Sequence, residues 1–253
     1  MNIDLTHQTA LVTGATGELG RVMVRTLALC GANVVIHYLN NERVALDLQK
    51  EIVATGRKAM IVQADVTNLD SVMEMKRKIF ENFDRVDIVV ANAVIQYTWR
   101  HILDQPPEDY LGQFDSCVMQ SVYLAKAFVP AMIECSRGRM IGINTECSMQ
   151  SFETFSAYAA GKRGMDGIYR VLAREIGVHQ ITVNQIAPGW TISDKDRKNN
   201  TELQEAYENE VPLKRRGTDQ EIANVVAFLA SDLASFITGA YVPVCGGKVM
   251  PAI

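Results

Sequence analysis

The chain is short of every feature that marks a secreted, membrane-spanning or metal-bound protein. Its five cysteines (Cys30, Cys117, Cys135, Cys147, Cys245) are an odd number, widely spaced, with no Cys-x-x-Cys pair. They read as reduced thiols of a cytoplasmic protein, not as a disulfide frame or zinc site. The four histidines (His7, His37, His101, His179) are isolated and none has metal-ligand spacing, so no metal site is expected. No run approaches the roughly 18–20 apolar residues of a membrane span. The opening Met1-Asn2-Ile3-Asp4-Leu5-Thr6 lacks the basic region and apolar core of a signal peptide. Lys and Arg form no dense block and the net charge is −4, so neither nucleic acid nor membrane is an expected partner. Internal repeats, low-complexity tracts and Pro/Gly-rich linkers are also missing, and residues 1–253 are expected to form one domain.

What is present is a globular balance. With 48% apolar and 21% charged residues, the 253-residue chain can bury a sizeable core and is not of disordered composition. Short β-branched runs at Thr9–Thr13, Asn33–His37, Ala59–Gln63, Val86–Ala91, Arg139–Ile143, Thr182–Ile186 and Tyr241–Val244 read as strands. Between them, Glu18–Cys30, Glu42–Ala54, Leu69–Asn82, Tyr110–Cys135 and Ser156–Val178 carry apolar residues at helical spacing. Near-continuous apolar strands alternating with helices predict an α/β fold, a parallel sheet of about seven strands with helices on both faces. The polar segment 193–211 breaks the alternation; it is expected to be a mobile lid over a site at the carboxyl edge of the sheet.

Two patterns carry chemistry. The first strand runs into Thr13-Gly14-Ala15-Thr16-Gly17-Glu18-Leu19-Gly20 and then a helix. Glycines at 14, 17 and 20 permit a tight turn, close approach of backbone to a pyrophosphate and close helix–strand packing. Amide groups at the helix start then suit the anion. Further on, Tyr158 and Lys162 stand four apart on a predicted helix, hence on one face. A positive charge beside a phenol favours its ionised form and moves a pKa near ~10 towards usefulness at neutral pH. Thr145, thirteen residues upstream, offers a second hydroxyl.

With these motifs in hand, the chain resembles the short-chain dehydrogenase/reductase family over nearly its full length. Matching stretches stand in family order: Thr13–Gly20, Ala64-Asp65-Val66, Asn92-Ala93, Gly138-Arg139-Met140-Ile141, Tyr158-x-x-x-Lys162 and Val183 to Gly189. Val211-Pro212-Leu213 through Glu221-Ile222-Ala223, and Ile237-Thr238-Gly239 with Gly246-Gly247, complete the set. The tail looks most like bacterial single-domain members such as 3-oxoacyl-carrier-protein reductases. The resemblance implies a Rossmann-type doubly wound sheet and an NAD(P)-dependent oxidoreductase acting on a small-molecule ketone or secondary alcohol. It implies Tyr158 as general acid/base, Lys162 as the group that lowers its pKa and holds the nicotinamide ribose, and Thr145 orienting the carbonyl. Gly14, Thr16, Gly17, Leu19 and Gly20 would cradle the pyrophosphate; Tyr38 would stand by the adenosine ribose, Asp65 and Val66 by the adenine. Asn92 and Ala93 would line the ribose side, and Pro188, Gly189, Thr191 and Ser193 the nicotinamide end.

The chain also departs from the family pattern. Glu18 stands where glycine is usual, Ala91 and Val94 replace the outer residues of Asn-Asn-Ala-Gly, and Thr145 replaces serine. The asparagine that many members place on the long central helix falls at Cys117, or at Val118 under a one-residue shift. These changes keep a second reading open, a cofactor-binding sensor with weak or no turnover. No acid stands at the end of the second strand, where Tyr38 and Leu39 occur; that removes a repulsion against a 2′-phosphate and favours NADP(H) over NAD(H), with Arg43 a possible partner. Gln96, Tyr97, Trp99, Gln150, Phe152, Phe155 and Trp190 are candidates for the pocket wall. Both long helices carry more apolar residues (Val118, Met119, Val122, Tyr123, Phe128; Met165, Ile168, Tyr169, Leu172) than one buried stripe needs. With the family resemblance, this points to a homotetramer or homodimer.

Overall fold

The hydrophobic runs settle into one sheet in the computed structural model, which describes residues 2–251. The strands are β1 (Thr9–Val12), β2 (Asn33–Tyr38), β3 (Ala59–Gln63), β4 (Ile88–Ala91), β5 (Gly138–Ile143), β6 (Ile181–Pro188) and β7 (Tyr241–Val244). They pair in parallel in the order β3-β2-β1-β4-β5-β6-β7. The helices between them are α1 (Glu18–Leu29), α2 (Glu42–Ala54), α3 (Leu69–Phe80), α4 (Pro107–Phe114), α5 (Gln120–Glu134), α6 (Ser156–Ile176), α7 (Asp194–Asn199), α8 (Glu205–Glu210) and α9 (Asp219–Ala230).

Period-2 alternation divides the core. Ala10 and Val12 join one apolar cluster, with α1 and α9, whereas Leu11 joins the other, with α3, α5 and α6. The strand order reverses between β1 and β4: after β3 the chain crosses back to β1's other side. A sheet of this kind opens a crevice at the carboxyl ends of the strands at that switch point.

Most expected elements agree to within a few residues; three differences bear on function. The long central helix starts at Pro107 rather than Tyr110 and is broken by a π-helical turn over Asp115–Met119. Such a turn loosens carbonyls from their helical partners, and side chains take them up. Ser116 Oγ donates to the Gly112 carbonyl (2.7 Å) and Ser121 Oγ to that of Cys117 (2.7 Å), while Gln120 Nε2 donates to that of Ser116. The stretch Pro107–Glu134 is long and apolar enough to cross a membrane by composition, but it packs into the core. Strand β6 runs on to Pro188, which carries the sheet to the edge of the site. The polar segment 193–211 holds two short helices, α7 and α8.

Val118, Phe128, Met165 and Tyr169 are buried within the chain's own core, so they are not spare surface for a partner. Met119, Val122, Tyr123, Ile168 and Leu172 are half-buried.

Candidate active site

At the switch point, β1 leads into a turn that only glycine fits. Gly14 has φ +60°, and a Cβ on it would lie 2.9 Å from Ala93 Cα; a Cβ on Gly20 would lie 2.8 Å from Ala15 Cα and overlap the Gly14 carbonyl oxygen. Gly17 caps α1 without a side-chain bond, leaving the helix start to its backbone amides. Thr16 accepts from Arg21 Nη1 through its carbonyl (3.2 Å), and Leu19 packs partly against the core. Glu18 is less intrusive than its charge suggests: its carboxylate accepts from Arg21 Nη2 (2.9 Å) and from the Lys195 amide (3.2 Å). Val94 packs against the core. A cradle with no side chain to fill it, at a helix start whose dipole favours anions, fits a dinucleotide pyrophosphate.

Behind the turn is a polar frame. Asn92 Nδ2 donates to the carbonyls of Thr13 (2.9 Å) and Gly14 (3.2 Å), while the Asn92 and Ala93 amides donate to Thr13 Oγ1 (2.9 and 3.0 Å). Thr13 Oγ1 in turn donates to Gln120 Oε1 (2.7 Å). His37 Nδ1 accepts from the Gly14 amide (3.0 Å), so its hydrogen sits on Nε2 and is donated to the Ala64 carbonyl (3.0 Å). Burial pushes this imidazole down to about 4, although the Ala64 bond opposes the shift. At the end of β2, Tyr38 is buried and its Oη donates to Glu42 (3.2 Å). Asp65 Oδ1 accepts from the Thr67 amide and hydroxyl (2.9 and 2.6 Å), and Val66 lies in the core.

Thr145 follows the end of β5, and Tyr158 and Lys162 lie on α6. The Thr145 carbonyl accepts from Tyr241 Oη (2.6 Å) and Ser148 Oγ (2.9 Å), and its Oγ1 accepts from the Cys147 amide (3.2 Å), which leaves the hydroxyl hydrogen to donate. The Tyr158 amide donates to Tyr97 Oη (2.9 Å), which fastens the first turn of α6. Lys162 Nζ donates to the Ile143 carbonyl (2.6 Å) and sits 5.7 Å from the Tyr158 ring centroid. Burial pushes the Tyr158 phenol far above its ordinary range, the Cys147 and Cys117 thiols add to this, and the Thr145 hydroxyl opposes it. Lys162 stands one turn further along α6. Its own ammonium is pushed down by burial, with Cys117 opposing. The two alternatives for the missing asparagine separate: Cys117 is the neighbour of the Tyr–Lys pair, whereas Val118 packs on Gly164 of α6.

Tyr158 and Thr145 line a cavity of about 530 Å³ with Gln96, Tyr97, Trp99, Phe152, Phe155 and Trp190. Of the expected wall, Gln150 is not among the lining residues; its Nε2 donates to the Lys248 carbonyl (2.8 Å). The Trp99 and Phe155 rings pack with centroids 4.1 Å apart, tilted by 43°. Pro188 ends β6 beside Val244, and a Cβ on Gly189 would come 2.5 Å from Tyr207 Oη, so the glycine admits the tyrosine. Thr191 Oγ1 donates to the Gly189 carbonyl (3.0 Å), and Ser193 is committed to capping α7 through Asp196. Tyr207 from α8 accepts from the Trp190 amide (2.8 Å) and donates to Glu146 (2.9 Å). Fully buried Arg216 donates to the carbonyls of Trp190, Thr191, Thr201 and Glu202 and to Asp196, and stacks 4.7 Å from the Trp190 ring centroid. Sequence reasoning missed Glu146, Tyr207, Arg216 and Lys248. Only Tyr207 left a trace, as an aromatic in a polar segment.

A parallel sheet with this switch point, a glycine cradle and a Tyr/Lys/Thr cluster beside an apolar cavity defines a dinucleotide-dependent oxidoreductase. The family model described as enoyl-(acyl carrier protein) reductase matches residues 14–248. A 3-oxoacyl-[acyl-carrier-protein] reductase of Staphylococcus epidermidis is 34% identical over 245 residues, 96% of this chain and 100% of the relative. Among solved structures, a putative gluconate dehydrogenase from Agrobacterium tumefaciens superposes with TM-score 0.91 at 28% identity, covering 99% of this chain and 100% of the other. A gluconate 5-dehydrogenase from Burkholderia cenocepacia, in complex with NADP and tartrate, gives 0.89 at 25% identity, covering 98% and 97%. The chain belongs to the short-chain dehydrogenase/reductase family and is an oxidoreductase acting on CH–OH groups with NAD(P) as acceptor.

Proposed function

We propose that the protein interconverts a secondary alcohol and a ketone, with Tyr158 as general acid/base and Thr145 orienting the reacting oxygen. The observation that carries this is the convergence of both hydroxyls on the aromatic-walled cavity, with Thr145 keeping a hydrogen to donate. The nicotinamide cofactor, when bound, supplies or receives the hydride. Reduction builds negative charge on the carbonyl oxygen, and donors held in place beforehand stabilise it without reorganising. Tyr158 is protonated at neutral pH because burial favours the neutral phenol, so it enters reduction ready to give its proton. Lys162, anchored on the Ile143 carbonyl, keeps two further N–H groups for the nicotinamide ribose.

The cofactor cradle takes Gly14, Thr16, Gly17, Leu19 and Gly20 at the pyrophosphate and Asn92 and Ala93 at the ribose side. Tyr38, Asp65 and Val66 serve the adenosine end, and Pro188, Gly189, Thr191 and Ser193 the nicotinamide end. NADP(H) is preferred over NAD(H), since no side chain of β2 or the turn after it puts an acid at the 2′ position. Residues 193–211 act as a lid, fastened by Tyr207 and Arg216. The protein assembles as a homotetramer, or a homodimer, through the Pro107–Glu134 and α6 faces, where Leu111, Phe114 and Val171 are exposed. The test pairs cofactor titration with a ketone-panel turnover screen, Tyr158→Phe as control. Tight cofactor binding with no Tyr158-dependent turnover over a broad panel would refute the reading and favour a sensor.

A further inference from the structure

The cavity holds a carboxylate that the reaction does not use. Glu146 directly follows Thr145 and is 3% exposed. Its Oε1 accepts from Tyr207 Oη at 2.9 Å, but its Oε2, equally buried, has no hydrogen-bond partner among the described residues. Glu146 lines the cavity, and a Cβ at position 189 would crowd that oxygen at 3.1 Å, so the glycine lets the carboxylate keep this place. Burial pushes the Glu146 carboxyl up, opposed by the Tyr207 bond, by Lys248 and, less, by the Trp190 amide; Glu210 adds to the rise. A buried acceptor left unpaired is costly, and such groups in native proteins call for an explanation.

The neighbours say what would pair with it. Lys248 also lines the cavity; its side chain is 4% exposed, and its Nζ lies 4.4 Å from the Tyr207 ring centroid and 5.5 Å from that of Phe152. The ammonium bonds to Glu210, whose own side chain is 67% exposed and hence solvated. Glu210 also lines the cavity, so two carboxylates share one ammonium, and among the described residues Glu146 has no cation bonded to it. An anionic substrate would be repelled beside it. A neutral molecule with an O–H to give Oε2, and C–H faces to lay on Trp99, Phe152 and Phe155, would not.

We propose that Glu146 is a specificity residue, accepting a hydrogen bond from a second hydroxyl of the substrate. The preferred substrates are then neutral polyhydroxy alcohols and their hydroxyketones, rather than simple alcohols or acyl thioesters that lack such a donor. This rests on reading the cavity as the substrate site of the oxidoreductase.

The chain's only two tryptophans, Trp99 and Trp190, both line the cavity, so their fluorescence reports occupancy directly. Full-length protein with oxidised cofactor is titrated with cyclohexanol and with cyclohexane-1,2-diol and cyclohexane-1,3-diol. At least one diol should bind about tenfold more tightly than cyclohexanol, the effect of one hydrogen bond to a charged acceptor. Glu146→Leu should bring the ratio near one. The isosteric Glu146→Gln, its folding checked by thermal melting, should give an intermediate ratio. Equal or absent diol binding in the wild type, or a ratio that survives Glu146→Leu, overturns the proposal. Turnover is read separately: diol preference without any Tyr158-dependent turnover sinks the hydride-transfer reading alone, and turnover without the preference sinks only this one.

Discussion

His37 gives the sharpest quantitative test, because one neutral ring joins the glycine turn to the end of β3. The Gly14 amide can only donate, so Nδ1 must stay unprotonated for the 3.0 Å bond to exist. Protonation would set one N–H against another in a site where the residue is 2% exposed. Its folded value of about 4 lies below the unfolded 6.5, so the stability it contributes is complete above pH 6.5 and is lost as pH falls through about 4. That difference amounts to about 3 kcal/mol by pH 4, of which about 2 kcal/mol disappears between pH 7 and pH 5. Other groups titrate over the same range, so the comparison is with His37→Gln, whose carbonyl can accept from Gly14 and whose amide can donate to Ala64. Urea unfolding at pH 7 and pH 5 should show the wild type losing about 2 kcal/mol more than His37→Gln. His37→Phe, which leaves both backbone groups unpaired, should be the least stable at pH 7, by about 2–4 kcal/mol. If wild type and His37→Gln have the same pH slope, the histidine is not a buried neutral link and the reasoning fails.

Arg216→Met should free the segment it clamps. Breaking a buried pair and orphaning four carbonyls costs about 3 kcal/mol locally, so amide exchange over residues 190–202 should speed up about 100-fold while β1 and β4 stay protected. Gly20→Ala drives a methyl into Ala15 and the Gly14 carbonyl, both backbone; calorimetry should show a loss of about 1–3 kcal/mol, and cofactor titration at least a tenfold weaker Kd. Arg43→Ala should reduce the preference for NADP(H) over NAD(H) in paired binding titrations while leaving NAD(H) affinity within about twofold.

The strands and their faces were legible in the sequence because parallel strands covered on both sides announce themselves as continuous apolar runs. The glycine turn was legible for a related reason: backbone that must approach backbone, as at Gly14 against Ala93, excludes every side chain and leaves a spacing behind. The Tyr158–Lys162 pair was legible as a position and not as an electrostatic state. Spacing on a helix placed the ammonium beside the ring, but it could not show that the Ile143 carbonyl accepts a hydrogen bond from it or that burial pushes the phenol up. Arg216 and His37 were invisible for a third reason. Each is a single polar residue whose partners are backbone groups brought in by the fold, and backbone carbonyls and amides write no pattern into a sequence.

The π turn at Asp115–Met119 shows how that limit bears on the missing asparagine. Read as a sequence, Cys117 looks like the loss of a functional amide from a regular helix. In the structure the helix is not regular there, and Ser116, Gln120 and Ser121 answer the loosened carbonyls. Gln120 also donates to the Ala93 carbonyl (2.8 Å) and accepts from Thr13, tying the turn to the glycine cradle. Across from it, a Cβ on Gly161 would lie 2.8 Å from the Gln113 carbonyl oxygen, so α6 can approach only because that residue is glycine. The backbone geometry around the Tyr158–Lys162 pair is thus held by residues that surround position 117, not by the residue at it. Cys117 is buried with its thiol near Tyr158 and Lys162, while the Tyr97 hydroxyl, not a group at position 117, fastens the Tyr158 amide.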